Sequence, residues 1–153
     1  MEVGLVSDTH GLLRPEVIPA LHGCRLILHA GDVGGPEILE ALEAVAPVRA
    51  VRGNTDHGPF GASLPMTDVV QVAGHVLYML HIPQDLDLDP GAAGFSAVIS
   101  GHTHRPLVEE RDGVLFVNPG SCGPRRFDLP VTVARLTVEE HGLSVRLIPL
   151  PVS

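Results

Sequence analysis

RLILHAGDVGGPEILEALEAVAPVRAVRGN (25–54) decides the fold. Its first eight residues form an apolar run that reads as a strand closing on Asp32. GPEILEALEAV (35–45) then places Ile38, Leu39, Leu42 and Val45 on one helical face behind Pro36, whose fixed φ suits a first helical turn. PVRAVRGN (47–54) is a further strand, closing on Asn54. Strand, helix and strand in this order imply parallel strands joined by a right-handed crossover. Upstream, MEVGLVSD (1–8) adds a strand ending in Asp8, and RPEVIPALHG (14–23) a short helix stopped at Gly23.

Downstream the pattern changes to hairpins. MTDVVQVAGHVLYML (66–80) turns at Ala73-Gly74, PLVEERDGVLFV (106–117) turns at Asp112-Gly113, and PVTVARLTVEEHGLSVRLIPL (130–150) supplies a third pair. The expected architecture is an α/β sandwich of two sheets, one mixed sheet packed on a second, largely antiparallel one. Residues 1–153 read as one domain, with no repeat, linker or low-complexity tract.

Composition narrows the function. The chain is 44% hydrophobic but 3% aromatic and lacks Trp, so its core is built from Val, Leu, Ile and Ala. The formal charge is −8, which argues against an extended nucleic-acid footprint. All 10 basic residues are Arg. Having no Lys removes a P-loop lysine, a Schiff-base lysine and a Ser–Lys dyad together. Cys24 and Cys122 lack CxxC spacing and read as small, reduced residues. No apolar run reaches the ~18 residues of a membrane span, and the N-terminus carries no basic leader pattern. A cytoplasmic protein without membrane contact is therefore expected.

The polar residues collect at strand ends. Asp8 and His10 follow the first strand, Asp32 the second, Asn54 the third; His81 follows VLYML, and His102 with His104 follow AVIS in ISGHTHRP. Ligands of open α/β sheets bind where the connecting loops converge, at the carboxyl ends of strands. A His-x-His pair on extended backbone points both rings to one side, about 6.5–7 Å apart, which suits one ligand for each of two metals. Carboxylate, imidazole and amide donors without thiolate suit Mn²⁺, Fe, Zn²⁺ or Mg²⁺, not a Cys-rich structural zinc site. Seven such ligands exceed what one tetrahedral ion takes and fit two ions sharing a carboxylate. Two divalent ions against two aspartates leave a positive pocket in an acidic chain, which favours phosphate oxygens.

DTH (8–10), GD (31–32), GNTD (53–56), His81 and GHTH (101–104) resemble, in order, the five motifs of the calcineurin-like metallophosphoesterases. HAGD, VRGNTD, the following LP (64–65) and NPGS (118–121) are similar to the small prokaryotic phosphodiesterase branch, so the resemblance covers residues 1 to about 126. It implies that Asp8, His10 and His104 hold a first divalent ion, that Asn54, His81 and His102 hold a second, and that Asp32 bridges them. It also implies phosphodiester hydrolysis by a hydroxide activated between the ions, with Mn²⁺ favoured and Fe, Zn²⁺, Ni²⁺ and Mg²⁺ compatible. The substrate is expected to be a small phosphate ester; self-association is left open. The chain departs from the pattern twice. Thr55 stands where strong members carry a catalytic His, and MLHIPQ lacks the Gly-His that many members have after His81. The alternative is a metal-binding scaffold of the same fold, like the retromer subunit, with little activity. A nuclease would need a DNA-binding surface that this acidic chain does not supply.

Other residues divide between sharp and plain readings. His57 is the candidate for the missing acid, and Arg105, Arg125 and Arg126 are candidates for substrate phosphate. Asp56 either orients ligands or caps a turn. His29 reads as a hydrogen-bonded core residue; His22, His75 and His141 receive no role. DLDLDPG (85–91) has Pro90 and Ser96 where a calcium loop needs Gly and Glu, and reads as a solvated helix entry. GDVGGPE lacks Walker spacing.

Overall fold

The computed structural model describes residues 1–152. Along the chain lie β1 (Glu2–Val6), α1 (Val17–Ala20), β2 (Leu26–His29), α2 (Pro36–Glu43), β3 (Val48–Ala50), α3 (Gly58–Ser63), β4 (Thr67–Val72) and β5 (His75–Leu80). A 3₁₀ turn (Pro83–Asp85) leads to β6 (Ala97–Ile99), β7 (Leu107–Arg111), β8 (Val114–Asn118), β9 (Thr132–Glu139) and β10 (Gly142–Pro149). Two five-stranded sheets result, ordered β10-β9-β1-β2-β3 and β4-β5-β6-β8-β7.

The crossover read from residues 25–54 is present: β1, β2 and β3 are parallel, with Leu5 opposite Leu28 and His29 opposite Ala50. Ile38 and Leu42 of α2 are buried, and Leu39 and Val45 pack against the same cluster. The α1 helix is shorter than its sequence pattern because Pro19 lies inside it; Gly23, at φ 85°, ends the turn that follows. Two hairpins turn at the expected dipeptides with left-handed backbone, at Ala73 (48°) and Gly74 (84°), and at Asp112 (51°) and Gly113 (81°). The third hairpin joins β9 to β10, and β9 pairs antiparallel with β1.

The α/β sandwich is as expected, but the second sheet is itself mixed where a largely antiparallel one was expected. The β4–β5 and β7–β8 hairpins are antiparallel; β6 lies between them and is parallel to both β5 and β8. The cause is Ala97–Ile99, a lone buried strand with no hairpin partner, which enters the sheet through the long 81–96 connection.

Strand alternation sorts the core into layers. Val3, Leu5, Leu28, Ala134 and Leu136 of the first sheet meet Val70, Leu77, Met79, Ala97 and Ile99 of the second. The opposite face, through Val6, Ile27 and Val133, packs on α1 and α2. On the far face of the second sheet, Tyr78, Leu80, Val98 and Val114 pack against Leu86, Phe95 and Phe116. DLDLDPG lies over that face as a turn, not a helix entry. Asp89 Oδ1 accepts the Ala92 N–H, and Pro90 with Gly91 and Gly94 keep the chain from extending a helix.

Candidate metal centre

Because β1, β2 and β3 run parallel, and β5 runs parallel to β6, the carboxyl ends of both sheets deliver their loops to one place. Asp8 Oδ1 lies 3.4 Å from His104 Nε2 and 3.6 Å from His10 Nε2, whose two nitrogens are 3.4 Å apart. His81 Nε2 lies 3.2 Å from Asp32 Oδ2 and 3.8 Å from Asp8 Oδ1. Asp32 Oδ2 is also 3.7 Å from His10 Nε2, so it faces one histidine of each group. Asp8, His10 and His104 form one triad, and Asp8, Asp32 and His81 another, with donor atoms within 4.8 Å of one another in each. His102 Nδ1–H donates to Asn54 Oδ1 at 3.0 Å, and the His102 ring stands edge-on to His81 at 5.3 Å. All seven strand-end residues are thus gathered, with Asn54 and His102 on the exposed side and the rest half-buried or buried.

The backbone bends unusually to do this. Asp8 (φ 56°), His10 (47°), Asp32 (56°), His102 (75°) and His104 (61°) all occupy the left-handed region, where an L-residue is strained. Neighbouring groups hold these conformations. The amides of Asp8 and His10 donate to the carbonyls of Gly31 and Asp32, tying the first two loops together. The Asp56 carboxylate accepts from the N–H groups of Val33, Gly34 and Gly53, fastening the Asp32 loop to the Asn54 loop. Asp56 is therefore a loop staple. A Cβ on Gly53 would overlap Asp32, and one on Gly101 would meet Ser7 Oγ and Asp8 Oδ2, so Gly is required before Asn54 and His102.

His29 makes a second tie. Its Nδ1 accepts the Gly31 N–H, so its Nε2 carries the proton and donates to Thr9 Oγ1 at 3.0 Å; Thr9 in turn donates to the Val33 carbonyl at 2.7 Å. Burial drives the His29 pKa down to about 4 against the pull of Asp8, Asp56 and Asp32, which fits a neutral ring whose two nitrogens are both committed.

The cluster fits divalent cations by its unmet demands. Asp8 Oδ1, His81 Nε2 and His104 Nδ1 are buried without a hydrogen-bond partner among the described residues. The Ala30 carbonyl accepts from His81 Nδ1 at 2.7 Å, which leaves the Nε2 lone pair aimed at two carboxylates. Acceptors facing acceptors inside a protein are costly unless a positive charge lies between them. Burial opposes ionisation of Asp8, but His10, His104 and Ser7 more than reverse it and hold its pKa well below the usual range. Asp32 is likewise brought to about 2, with burial outweighed by His81 and by the Thr55 N–H that donates to Oδ1 at 2.9 Å. Burial lowers the proton affinity of His81, yet Asp32 and Asp8 prevail and raise it. Both carboxylates are charged, so the site attracts positive charge.

Other expected residues stand apart. His57 is exposed at the N-cap of α3, and Arg105, Arg125 and Arg126 are exposed; no side-chain hydrogen bond ties any of them to the cluster. His22 and His141 are exposed, and His75 joins Ser96 Oγ to the Glu139 carbonyl. In GDVGGPE the Val33 and Gly34 amides are spent on Asp56. Sequence reasoning gave no role to Ser7, which donates to Asp8 Oδ2 at 2.6 Å, or to Ser121 of NPGS, which donates to the Asp8 carbonyl. Nor did it give a role to Asn118 of the same motif, which donates to the Gly101 carbonyl and Thr103 Oγ1. A signal for Asn118 existed: a polar amide closes the apolar run of β8.

Residues 1–141 match the calcineurin-like phosphoesterase superfamily domain. A probable metallophosphoesterase of Methanothermobacter thermautotrophicus is 36% identical over 168 aligned positions, covering 99% of this chain and 95% of that protein. A structure described as a novel archaeal phosphodiesterase superposes with a TM-score of 0.83 at 25% identity, covering 98% of this chain and 100% of that one. Vps29 of Entamoeba histolytica, solved with Zn²⁺, gives 0.81 at 23% identity, covering 99% and 93%, a likeness of fold.

Proposed function

The chain belongs to the calcineurin-like phosphoesterase superfamily, and from that premise we propose that it is a phosphodiesterase working with two divalent ions, Mn²⁺ favoured. Asp8, His10 and His104 would hold the first ion, Asn54, His81 and His102 the second, with Asp32 shared. The observation that carries this reading is Asp8 Oδ1: fully buried, unpartnered, and faced by imidazole nitrogens from three histidines. Such ions supply Lewis-acid charge to phosphoryl oxygens and acidify water.

The chain's own groups prepare that chemistry. The Thr55 amide occupies Asp32 Oδ1 and so leaves Oδ2 free to serve both groups. The Ala30 carbonyl fixes the His81 tautomer, and the Ser7 hydroxyl and His102 amide occupy Asp8 Oδ2. His57 is the proposed proton donor to the departing alkoxide, since the Thr55 hydroxyl is too weak an acid for it. Arg105 and Arg125 are proposed contacts for non-bridging phosphate oxygens.

A filled ligand set favours an enzyme over a scaffold. The exposed apolar residues of the second sheet's edge strands do not share one docking face: Val69 lies on β4 and Leu107 with Val108 on β7, at opposite edges. The test is hydrolysis of bis(4-nitrophenyl) phosphate with added Mn²⁺, alongside metal analysis of the reconstituted protein. Activity abolished by chelator and two ions per chain are expected. Activity that persists in chelator overturns the metal mechanism, and a stoichiometry of one overturns the shared role of Asp32.

A further inference from the structure

A concavity of about 250 Å³ opens beside the second ligand group, with Asn54 and His81 forming part of its wall. Its floor is apolar, from Leu80 and Ile82, with Met66 at the rim and Tyr78 set into the wall. Tyr78 is 7% exposed, and its ring stacks on Phe95 with centroids 5.0 Å apart. The Tyr78 hydroxyl makes no hydrogen bond among the described residues and is open to solvent in the concavity. Arg52 donates from Nε to the Gly61 carbonyl, and its terminal nitrogens have no acceptor among the described residues. Asp85 and Asp87 stand at the exposed side.

We propose that this concavity seats one ester arm of the substrate, and that the arm is an uncharged planar ring carrying a hydrogen-bonding edge. The inference rests on the phosphoesterase reading, since the phosphate must lie at the cluster that Asn54 and His81 share with the pocket. Three features select the arm. The volume falls just short of the 300 Å³ or so at which drug-sized ligand pockets begin, so it takes one ring system and not a large ligand. Two carboxylates at its mouth repel a second phosphate. The Tyr78 hydroxyl and the Arg52 guanidinium offer directional polar contacts, and an alkyl chain would strip water from them without replacing it, at a cost.

The chain contains 1 Tyr and no Trp, so a ring-labelled tyrosine gives an NMR signal from the pocket alone. The full chain in Mg²⁺ buffer would be titrated with phenylphosphonate and, separately, with methylphosphonate. The two share a non-hydrolysable anchor and differ in the ring, and their occupancy is followed by ³¹P NMR. Phenylphosphonate should move the Tyr78 resonances saturably, and methylphosphonate at equal occupancy should leave them in place. Met66 is 59% exposed, so Met66→Trp can fill the rim without disturbing the core. It should raise the ratio of phenylphosphonate to methylphosphonate dissociation constants at least fivefold. Equal Tyr78 shifts from both ligands, no shift with both bound, or an unchanged ratio in Met66→Trp overturns the pocket assignment alone. If neither phosphonate binds the wild-type protein, the phosphoester reading falls and the pocket with it.

Discussion

Lowering the pH from 6.5 to 5 should cost the metal-free protein about 1.5 kcal/mol of folding stability through His29. An unfolded histidine takes up a proton near pH 6.5, whereas burial keeps His29 neutral in the fold down to about 4. Between those values the unfolded state binds the extra proton, so stability falls as pH falls and levels off below about 4. At about 1.4 kcal/mol per pH unit, tapering near each pKa, the window from 6.5 to 5 yields the stated loss. For a chain of this size that is a drop of about 3–6 °C in Tm. The other shifted groups act elsewhere. The raised pKa of His81 adds stability that is complete below 6.5 and lost only as pH rises through its folded value. Asp8 and Asp32 have lowered pKa values, so their contribution is intact above the unfolded carboxylate range and declines below about pH 4. Urea denaturation in chelator at half-unit pH steps measures the slope. His29→Gln keeps an acceptor for the Gly31 amide and a donor for Thr9 but cannot titrate, so its curve should be flat across the window. Wild-type stability that is constant from pH 6.5 to 5, or an unchanged slope in His29→Gln, refutes the reasoning.

Asp32→Asn should lower Mn²⁺-stimulated diester hydrolysis by more than about 100-fold, beyond the usual loss for an outer-shell partner, and weaken Mn²⁺ binding by calorimetry; unaltered affinity would contradict the shared role of Oδ2. Gly101→Ala should destabilise the fold by about 1–3 kcal/mol, because the added Cβ lands 2.7 Å from Asp8 Oδ2 and presses on Ser7; an unshifted urea midpoint refutes that close approach. Aryl diesters should be hydrolysed much faster than alkyl diesters, and His57→Ala should slow alkyl substrates preferentially, within the 10²–10⁴-fold range of general acid catalysis. Equal losses on both substrate types exclude His57 as the acid.

The strand ends were legible because each is an apolar run closed by one polar residue, and the turn dipeptides at 73–74 and 112–113 marked the hairpins directly. The mixed pairing of the second sheet was not legible. Ala97–Ile99 is too short to show periodicity, and only packing between two hairpins gives its direction. Asp56 shows how far spacing reaches. Its place beside Asn54 suggested support for the ligands, but only the fold shows that it fastens two loops through three amides.

The left-handed backbone at five ligand positions is the feature least visible in the chain, since Asp and His give no sign of it in one dimension. Its cause lies in the neighbours. Asp8 is held by Ser7, Gly31, His102 and Ser121, which arrive from the ends of β1, β2, β6 and β8. The contacts from His102 and Ser121 exist only once both sheets are assembled. The strain therefore couples the site to the whole sandwich: β1 and β2 set one side of Asp8, while β6 brings the His102 amide to the other. A substitution far from the cluster that shifts one sheet on the other would move Asp8 Oδ1 relative to the His81 and His104 imidazoles at once. That dependence gives a physical reason for placing the cluster where the two sheets meet, and not on the loops of either sheet alone.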